Sequence, residues 1–226
     1  MFNKFKELFS SENLLDTAYQ TTLTMLDYDR QMWQASRQTL RASDTADLPF
    51  DIKSMDRKIN KYEREVRRKV LTHLTIAGTQ NLVPGLVLVS IVIDVERIGD
   101  YTKNIAGLAN LHEKRLPGGR HEETLQEIEQ VIEEHFAKTL EVLKTQDKNA
   151  ARTVLRVEDE VGKKAEGIVK ALITEENKSM TCSEAVCLAM YARFLKRINA
   201  HLTNIASAIV NPFPRIGFRE KKKNNK

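Results

Sequence analysis

The stretch ERIGDYTKNIA at positions 96–106 recurs near the end of the chain as KRINAHLTNIA at positions 196–206. The two stretches lie one hundred positions apart and share five of their eleven residues. Each one also falls in the last of three consecutive segments whose apolar residues have helical spacing. We therefore infer an internal repeat, in which each unit consists of three helices and ends in one of these stretches.

Six segments of the sequence place apolar residues three or four positions apart, as amphipathic helices do. The strongest break between them is LPGGR at 116–120. The fold class is therefore all-α, with two tandem three-helix bundles: a first repeat at 1–115, a second repeat at 119–212, and a basic tail at 213–226 that we expect to be disordered. The helices are predicted at about 12–42, 52–78, 84–110, 125–140, 151–172 and 183–209.

Formal charge is absent from Val70 to Ile93 when His73 is neutral. This stretch is long enough to span a bilayer, but polar groups crowd its first half and Pro84 interrupts it. Its β-branched second half could form a buried strand on its own. Because the apolar spacing continues to Ala109 without a turn signal, we instead predict a buried core segment with a helix starting at Pro84.

The chain has 226 residues, of which 41% are hydrophobic and 30% charged, and this balance excludes disordered, collagen-like and disulfide-scaffold proteins. Its charge of +5 comes mainly from the last eight residues, where five basic residues against one acid contribute +4. Such a tail suits a membrane surface, an acidic patch on a partner or plain solvation. The basic run at 57–69 is explained by a solvated helix face, so we expect no nucleic-acid partner.

The two cysteines and the N-terminus bear on where the protein works. Cys182 and Cys187 are five residues apart and form no C-x-x-C pair, so we expect reduced thiols without zinc. The first ten residues, MFNKFKELFS, lack the apolar core of a secretion signal. We therefore expect a cytoplasmic protein.

Two carboxylates in the first of the repeated stretches are the best candidates for a functional site. Glu96 and Asp100 are four residues apart, so on a helix both side chains project from one face. That face is apolar in the preceding turns, and a buried carboxylate needs a cation, hydrogen bonds or a proton. Three sources of the cation stay open: Arg97, a basic residue of the second helix such as Lys61, or a metal ion.

Asp94 and Asn104 add oxygen atoms at neighbouring turns of the same helix. Such a set of oxygen ligands suits hard or borderline metal ions. None of the five histidines follows a Glu by three residues, and the sequence lacks H-E-x-x-H, a P-loop, G-x-G-x-x-G and G-x-S-x-G. Without a nucleotide cradle or a nucleophile elbow, we expect no enzyme and no catalytic residues.

The stretch DVERIGDYTKNIAGLA at 94–109 resembles the signature helix of the PhoU family, whose pattern reads approximately DLERIGDHAxNIAE. The segment SMDRKINKYEREV at 54–66 resembles the second-helix pattern of the same family. The resemblance covers most of the chain and implies a tandem pair of three-helix bundles, which agrees with the organisation of the apolar segments.

The resemblance also implies a metal site. In the family, a Glu-x-x-x-Asp element holds iron or zinc, which would make Glu96 and Asp100 ligands and Asp56 a neighbouring ligand. In the second repeat, Lys196 and Ala200 replace both acids, so the implied iron or zinc belongs to the first repeat only. Two further departures from the family pattern are Asn60, in place of an acid, and Tyr101, in place of a His.

The function implied by the resemblance is regulation of phosphate uptake. The family sits between the phosphate ABC transporter and its sensor kinase, so we expect protein–protein contacts with one or both, a homodimer, and peripheral membrane contact through the basic tail. Three alternatives stay open: a metal-binding bundle whose primary role is metal-dependent, an accessory to a sodium-phosphate cotransporter, and a hydrolase or phosphatase with a bridged metal.

Overall fold

The computed structural model describes residues 11–45, 47–112, 114–174 and 180–220, and this part of the chain is all-α, as predicted. Six long helices form two three-helix bundles, and α3 begins two residues before the predicted Pro84. The helices are α1 (Ser11–Ala42), α2 (Ile52–Ala77), α3 (Leu82–Leu111), α4 (Glu122–Thr145), α5 (Lys148–Thr174) and α6 (Cys182–Val210).

In the first bundle, α1, α2 and α3 pack against one another. The Asp51 side chain caps α2 by accepting a hydrogen bond from the backbone N–H of Ser54 at 3.1 Å. Gly78 caps the C-terminus of α2 with a φ of 66°, which favours glycine, and a short 3₁₀ turn at Gly78–Asn81 leads into α3. This turn reverses the chain, so α2 and α3 form a tight helical hairpin.

In the second bundle, α6 packs against both α4 and α5. The helix α4 ends at Gln146, which adopts a left-handed conformation with φ of 56°. The helix α6 begins with a capping box in which the side chains of Thr181 and Glu184 each accept from the other's backbone N–H. Cys182 and Cys187 on this helix are both free thiols.

The two bundles share one continuous core, because α3 packs against α6 and α1 packs against α4. A buried polar network spans this junction. The Arg41 guanidinium of α1 lies 2.9 Å from a Glu129 carboxylate oxygen of α4, and the Tyr191 hydroxyl of α6 donates to the same oxygen at 2.8 Å. Such a buried ion pair needs hydrogen bonds to offset desolvation, and Tyr191 supplies one.

One expectation differs from the structure, and one stays a prediction. The disorder of the basic tail stays a prediction: of this tail the structure describes residues 213–220, where Arg219 and Glu220 form ion pairs with Asp159 and Arg152 of α5. Residues 221–226 lie outside the described residues. The uncharged stretch at 70–93 is not wholly buried, because several apolar side chains around the α2–α3 turn face solvent. Among the described residues, no helix combines the length and the apolar character needed to cross a bilayer.

Candidate functional site: an acidic cluster in the first bundle

The predicted carboxylates Glu96 and Asp100 on α3 lie beside Asp56 on α2, and a lysine joins two of them. The Lys103 ammonium lies 2.8 Å from Oδ1 of Asp100 and 2.9 Å from Oδ1 of Asp56. All three side chains are partly shielded from solvent. The structure thus brings these three acids together, and the cation between two of them is Lys103, which the sequence pattern does not indicate.

The two cations considered from the sequence have lesser roles. Arg97 lies 3.8 Å from both Glu96 and Asp100, at the outer edge of an ion pair, and its side chain is largely exposed. Lys61 lies beside Glu65 on its own helix, at 3.9 Å. Exposed pairs of this kind contribute little to stability. Lys103 is thus the main cation of the acidic cluster.

A fourth carboxylate, Asp29 of α1, reaches the cluster from the core side. Both of its oxygens are fully buried, and neither has a hydrogen-bond partner among the residues that the structure describes. Burial raises the pKa of Asp29 well above its ordinary value, and the nearby carboxylates of Glu96, Asp56 and Asp100 raise that pKa further. An unpartnered acid in a core is expensive, and either a cation or a proton would relieve the cost at Asp29.

The backbone at Gly99 makes room for this buried acid. A Cβ atom at Gly99 would lie 2.8 Å from Oδ1 of Asp29, closer than real Cβ atoms approach. A glycine in a helix interior usually lowers stability. The close approach of the Asp29 side chain explains why position 99 has no larger residue. Sequence reasoning missed Asp29, although a signal exists: it is a lone acid in the buried stripe that includes Thr22, Leu26 and Trp33.

The acids of the cluster outnumber its cations. Burial raises the pKa of Glu96, and the charges of Asp100 and Glu63 add to that effect. Burial works against the charged form of Lys103, but its hydrogen bonds to Asp100 and Asp56 outweigh burial and raise the lysine pKa. The cluster therefore carries an excess of negative charge that Lys103 offsets only in part.

The remaining predicted ligands are placed differently. Asp94 points toward the second bundle, where its Oδ1 accepts hydrogen bonds from His201 Nδ1 at 2.7 Å and Asn204 Nδ2 at 3.1 Å. Asn104 lies one turn after Asp100 and lines a shallow groove. Asn60, one turn after Asp56, donates its side-chain amide to the backbone carbonyl of that residue at 3.0 Å. Asp94 thus stabilises the junction of the bundles, away from the acidic cluster.

The side chains of the acidic cluster are suitable metal ligands, but their present positions do not form a coordination site. Its carboxylates form an oxygen donor set, and the buried Asp29 lacks any other partner. Yet among the described residues no three acidic, histidine or cysteine side chains converge as a ready coordination set. The ammonium of Lys103 lies between two of the donors. A metal would therefore have to displace Lys103.

Comparison with known proteins decides the family. The sequence model of the PhoU domain matches the chain twice, at residues 22–109 and 125–209. The chain belongs to the PhoU family. The two matches fall on the two three-helix bundles, and the first includes the acidic cluster.

Relatives of known name and fold agree with the PhoU assignment. The chain is 23% identical over 200 residues to a "Phosphate-specific transport system accessory protein PhoU homolog" from Synechocystis sp., with 88% of each chain covered. A protein of the same description from Deinococcus radiodurans is 28% identical, over 83% of this chain and 88% of its own.

Two solved PhoU structures share the fold. The phosphate transport system regulatory protein PhoU from Streptococcus pneumoniae has a TM-score of 0.77 at 18% identity, covering 89% of this chain and 95% of that one. PhoU from Pseudomonas aeruginosa also has a TM-score of 0.77, at 21% identity, covering 88% of this chain and 96% of its own.

The second PhoU repeat has a different polar arrangement at the matching place. Lys196, which stands where the first repeat has Glu96, forms an ion pair with Glu166 of α5. Asn199 lies one hundred positions after Gly99, and its Oδ1 accepts a hydrogen bond from His135 Nδ1 of α4 at 2.7 Å. Burial lowers the pKa of His135, so this imidazole is neutral at pH 7. The second repeat therefore pairs its polar groups without surplus acid.

Proposed function

We propose that the chain is an accessory regulator of phosphate uptake and phosphate-responsive signalling. It acts through contacts with a membrane phosphate transporter, with a sensor kinase, or with both. The observation that carries the proposal is the match of both bundles to the PhoU domain, together with curated relatives described as phosphate-specific transport system accessory proteins.

A groove between the two bundles supports contact with a partner helix. It lies where α3 meets α6, with a volume of about 680 Å³, and apolar side chains line most of it. Leu111 and Met190 on its rim are exposed. An amphipathic helix can lay its apolar face in such a groove. The apolar lining is Leu48, Phe50, Ile52, Leu108, Leu111, Met190 and Phe194.

The proposal includes a cytoplasmic location, a homodimer and no catalytic activity of its own. A partner that binds this chain in only one conformation has its equilibrium shifted toward that conformation, so regulation needs no chemical step. Light scattering of the purified protein tests the homodimer, and a monomer mass at micromolar concentration would contradict it.

The test of the proposal is deletion of the gene followed by measurement of phosphate uptake and of a phosphate-responsive reporter. We expect uptake and reporter activity to escape repression at high phosphate and wild-type protein to restore it. Leu111→Glu/Met190→Glu should fail to restore repression, whereas Ile173→Glu, at an exposed apolar site outside the groove, should succeed. Unchanged uptake and reporter in the deletion strain would refute the role.

The same strain separates the two transporter classes. Regulation of an ABC transporter predicts that the excess uptake of the deletion strain persists without sodium. Regulation of a sodium-phosphate cotransporter predicts that the excess uptake disappears when sodium is removed. Co-purification of the transporter or the kinase with wild-type protein, and its loss with the groove variant, then identifies the partner.

A metal-dependent role is the second candidate, and the unpartnered Asp29 favours it. The residues that would hold iron or zinc are Glu96, Asp100, Asp56 and Asp29, with Asn104 as a further predicted oxygen ligand. A bound metal would neutralise the surplus acid and link α1, α2 and α3. Because Asp94 is already engaged by His201, it is left out of this set.

Elemental analysis of the native protein tests the metal. We expect iron or zinc in stoichiometric amount in wild type and its loss in Glu96→Gln/Asp100→Asn, with circular dichroism showing that the helices persist. Glu166→Gln, in the second bundle, is the matched control and should keep the metal. Wild-type protein without metal, after incubation with iron or zinc, would contradict this candidate.

A further inference from the structure

The turn between α2 and α3 exposes a group of apolar side chains, which we name the apolar tip (residues 71–83). Leu71 is 68% exposed, Ile76 58%, Leu82 40% and Val83 58%. The sequence pattern predicts a buried core segment for this uncharged stretch, so its exposure needs an explanation. Apolar side chains gathered on one surface mark a place that another apolar phase covers.

The apolar tip is held in shape by its own turn. The N–H of Gly78 donates to the carbonyl of Leu74, and the buried His73 imidazole lies 3.2 Å from the side-chain amide of Asn81. A Cβ atom at Gly85 would lie 3.2 Å from Leu74, so the first turn of α3 packs closely on the last turns of α2. The turn that carries the exposed side chains is therefore closely packed.

The chain segment that carries the apolar tip has basic residues and no acids. No Asp or Glu occurs from Val66 to Ile93. Arg68 and Lys69 directly precede the tip, and neither forms an ion pair with a described residue. Arg67 lies 2.7 Å from Glu63, one turn away from the tip. Asp16 of α1 lines a groove together with Val83, so an acid lies beside the tip on its α3 side. Outward apolar groups beside a basic collar on α2 are complementary to phosphate headgroups above acyl chains.

We propose that the apolar tip inserts into the surface of an anionic phospholipid bilayer. Leu71, Ile76, Leu82 and Val83 enter the boundary between headgroups and acyl chains, and Arg68 and Lys69 bind lipid phosphates. This inference does not rest on the regulatory role. It is also distinct from tail binding, because the tail as far as Glu220 is tied to α5.

Co-sedimentation with vesicles tests the proposal. Wild type should bind vesicles of mixed phosphatidylglycerol and phosphatidylcholine, and bind phosphatidylcholine alone far more weakly. Leu71→Ser/Ile76→Ser should lower the partition coefficient at least about tenfold, because two apolar side chains no longer leave water. The matched control Ile173→Ser/Val186→Ser, which changes two apolar residues of similar exposure elsewhere, should bind like wild type.

Charge variants complete the test. Arg68→Gln/Lys69→Gln should lower binding about tenfold at low salt, with a weaker salt dependence than wild type. Deletion of 221–226 should leave the effect of the tip substitution in place. The proposal is overturned if wild type ignores anionic vesicles, if the tip variant binds like its control, or if the tip variant only changes the oligomeric state in gel filtration.

Discussion

The two bundles have the same helical plan but opposite solutions at the point where the first and third helices of each meet. In the first bundle, Asp29 faces the backbone of Gly99 with no partner. In the second bundle, His135 faces Asn199 and hydrogen-bonds to it at 2.7 Å. The second bundle shows that two neutral side chains that hydrogen-bond to each other can fill this position. The buried acid of the first bundle is therefore not needed for the fold.

The neighbouring charges repeat the contrast. On the first bundle, Lys103 faces Asp56 and Asp100, with Glu96 also close by. On the second, Lys196 meets a single acid, Glu166. Surplus buried charge lowers stability unless a cation offsets it. The difference is the basis of the proposed cation-dependent role for the first bundle, which the corresponding place in the second bundle lacks.

Breaking the neutral pair should have the largest effect. Asn199→Ala leaves the buried His135 imidazole without its acceptor and creates a small cavity, so we expect unfolding to become easier by about 3 kcal/mol. Urea denaturation measures this free energy. Asn110→Ala, at an exposed position on α3, is the control and should change it by less than about 0.5 kcal/mol. Equal effects would show that the pair does not stabilise the second bundle.

Removing the surplus acid should act in the opposite direction. Asp29→Asn keeps the shape of the side chain and removes the ionisation cost of a buried carboxyl group, so metal-free protein should gain about 2 kcal/mol at pH 7. The exposed Asp27, two residues earlier, provides the control substitution Asp27→Asn. A destabilised Asp29→Asn variant would mean that the buried carboxyl has a favourable partner.

The gain from Asp29→Asn should depend on pH. Because the folded state raises the pKa of Asp29, the native protein holds this proton more tightly than the unfolded chain. The acid therefore costs nothing below the unfolded pKa of about 4 and costs progressively more as the pH rises toward the raised native value. Urea denaturation of both proteins from pH 4 to pH 8 should show a difference that grows with pH. A constant difference would contradict the account.

The packing at Gly99 allows a smaller test of the same contact. Gly99→Ala should destabilise wild type because its methyl group meets the Asp29 carboxyl, but should be tolerated in the Asp29→Ala background. We expect a coupling energy of about 1 kcal/mol in the double-mutant cycle. Additive effects would show that Gly99 and Asp29 do not share this space.

The smallest expected effects come from two bridging lysines, one in each bundle. Lys103 bridges two acids of the cluster, and Lys164 bridges Glu127 and Glu160 on the second bundle at 3.0 and 2.7 Å. We expect Lys103→Met to cost about 1 kcal/mol in metal-free protein and Lys164→Met about 0.3 kcal/mol, since exposed pairs are screened. Thermal unfolding of both variants checks this order. The reverse order would mean that Lys103 adds nothing to the cluster.

The sequence predicts the fold well because helical spacing and turn residues are local signals. The breaks at 43–51 and 116–120 and the repeat one hundred residues apart were enough to locate six helices. The acids Glu96, Asp100 and Asp56 were also foreseen, through their spacing and the family resemblance. Local patterns can place residues on one helix face, and that much of the site follows from them.

The remaining part of the site depends on contacts between distant segments. Asp29 joins the cluster only because α1 packs across α3, and Lys103 reaches α2 only in the folded hairpin. Asp94 shares a helix with Glu96 but faces the second bundle, since two residues rotate a helical side chain by more than half a turn. The apolar tip was missed because hydropathy does not reveal which apolar residues face solvent.

The most direct test of the contrast between the bundles is the unfolding free energy of metal-free protein before and after addition of ferrous iron or zinc. Binding to the folded state alone stabilises wild type by about 2.7 kcal/mol at a hundredfold excess over the dissociation constant. Glu96→Gln/Asp100→Asn should lose this gain and Glu166→Gln should keep it. No gain in wild type, or an equal gain in the first variant, would contradict a cation site in the first bundle.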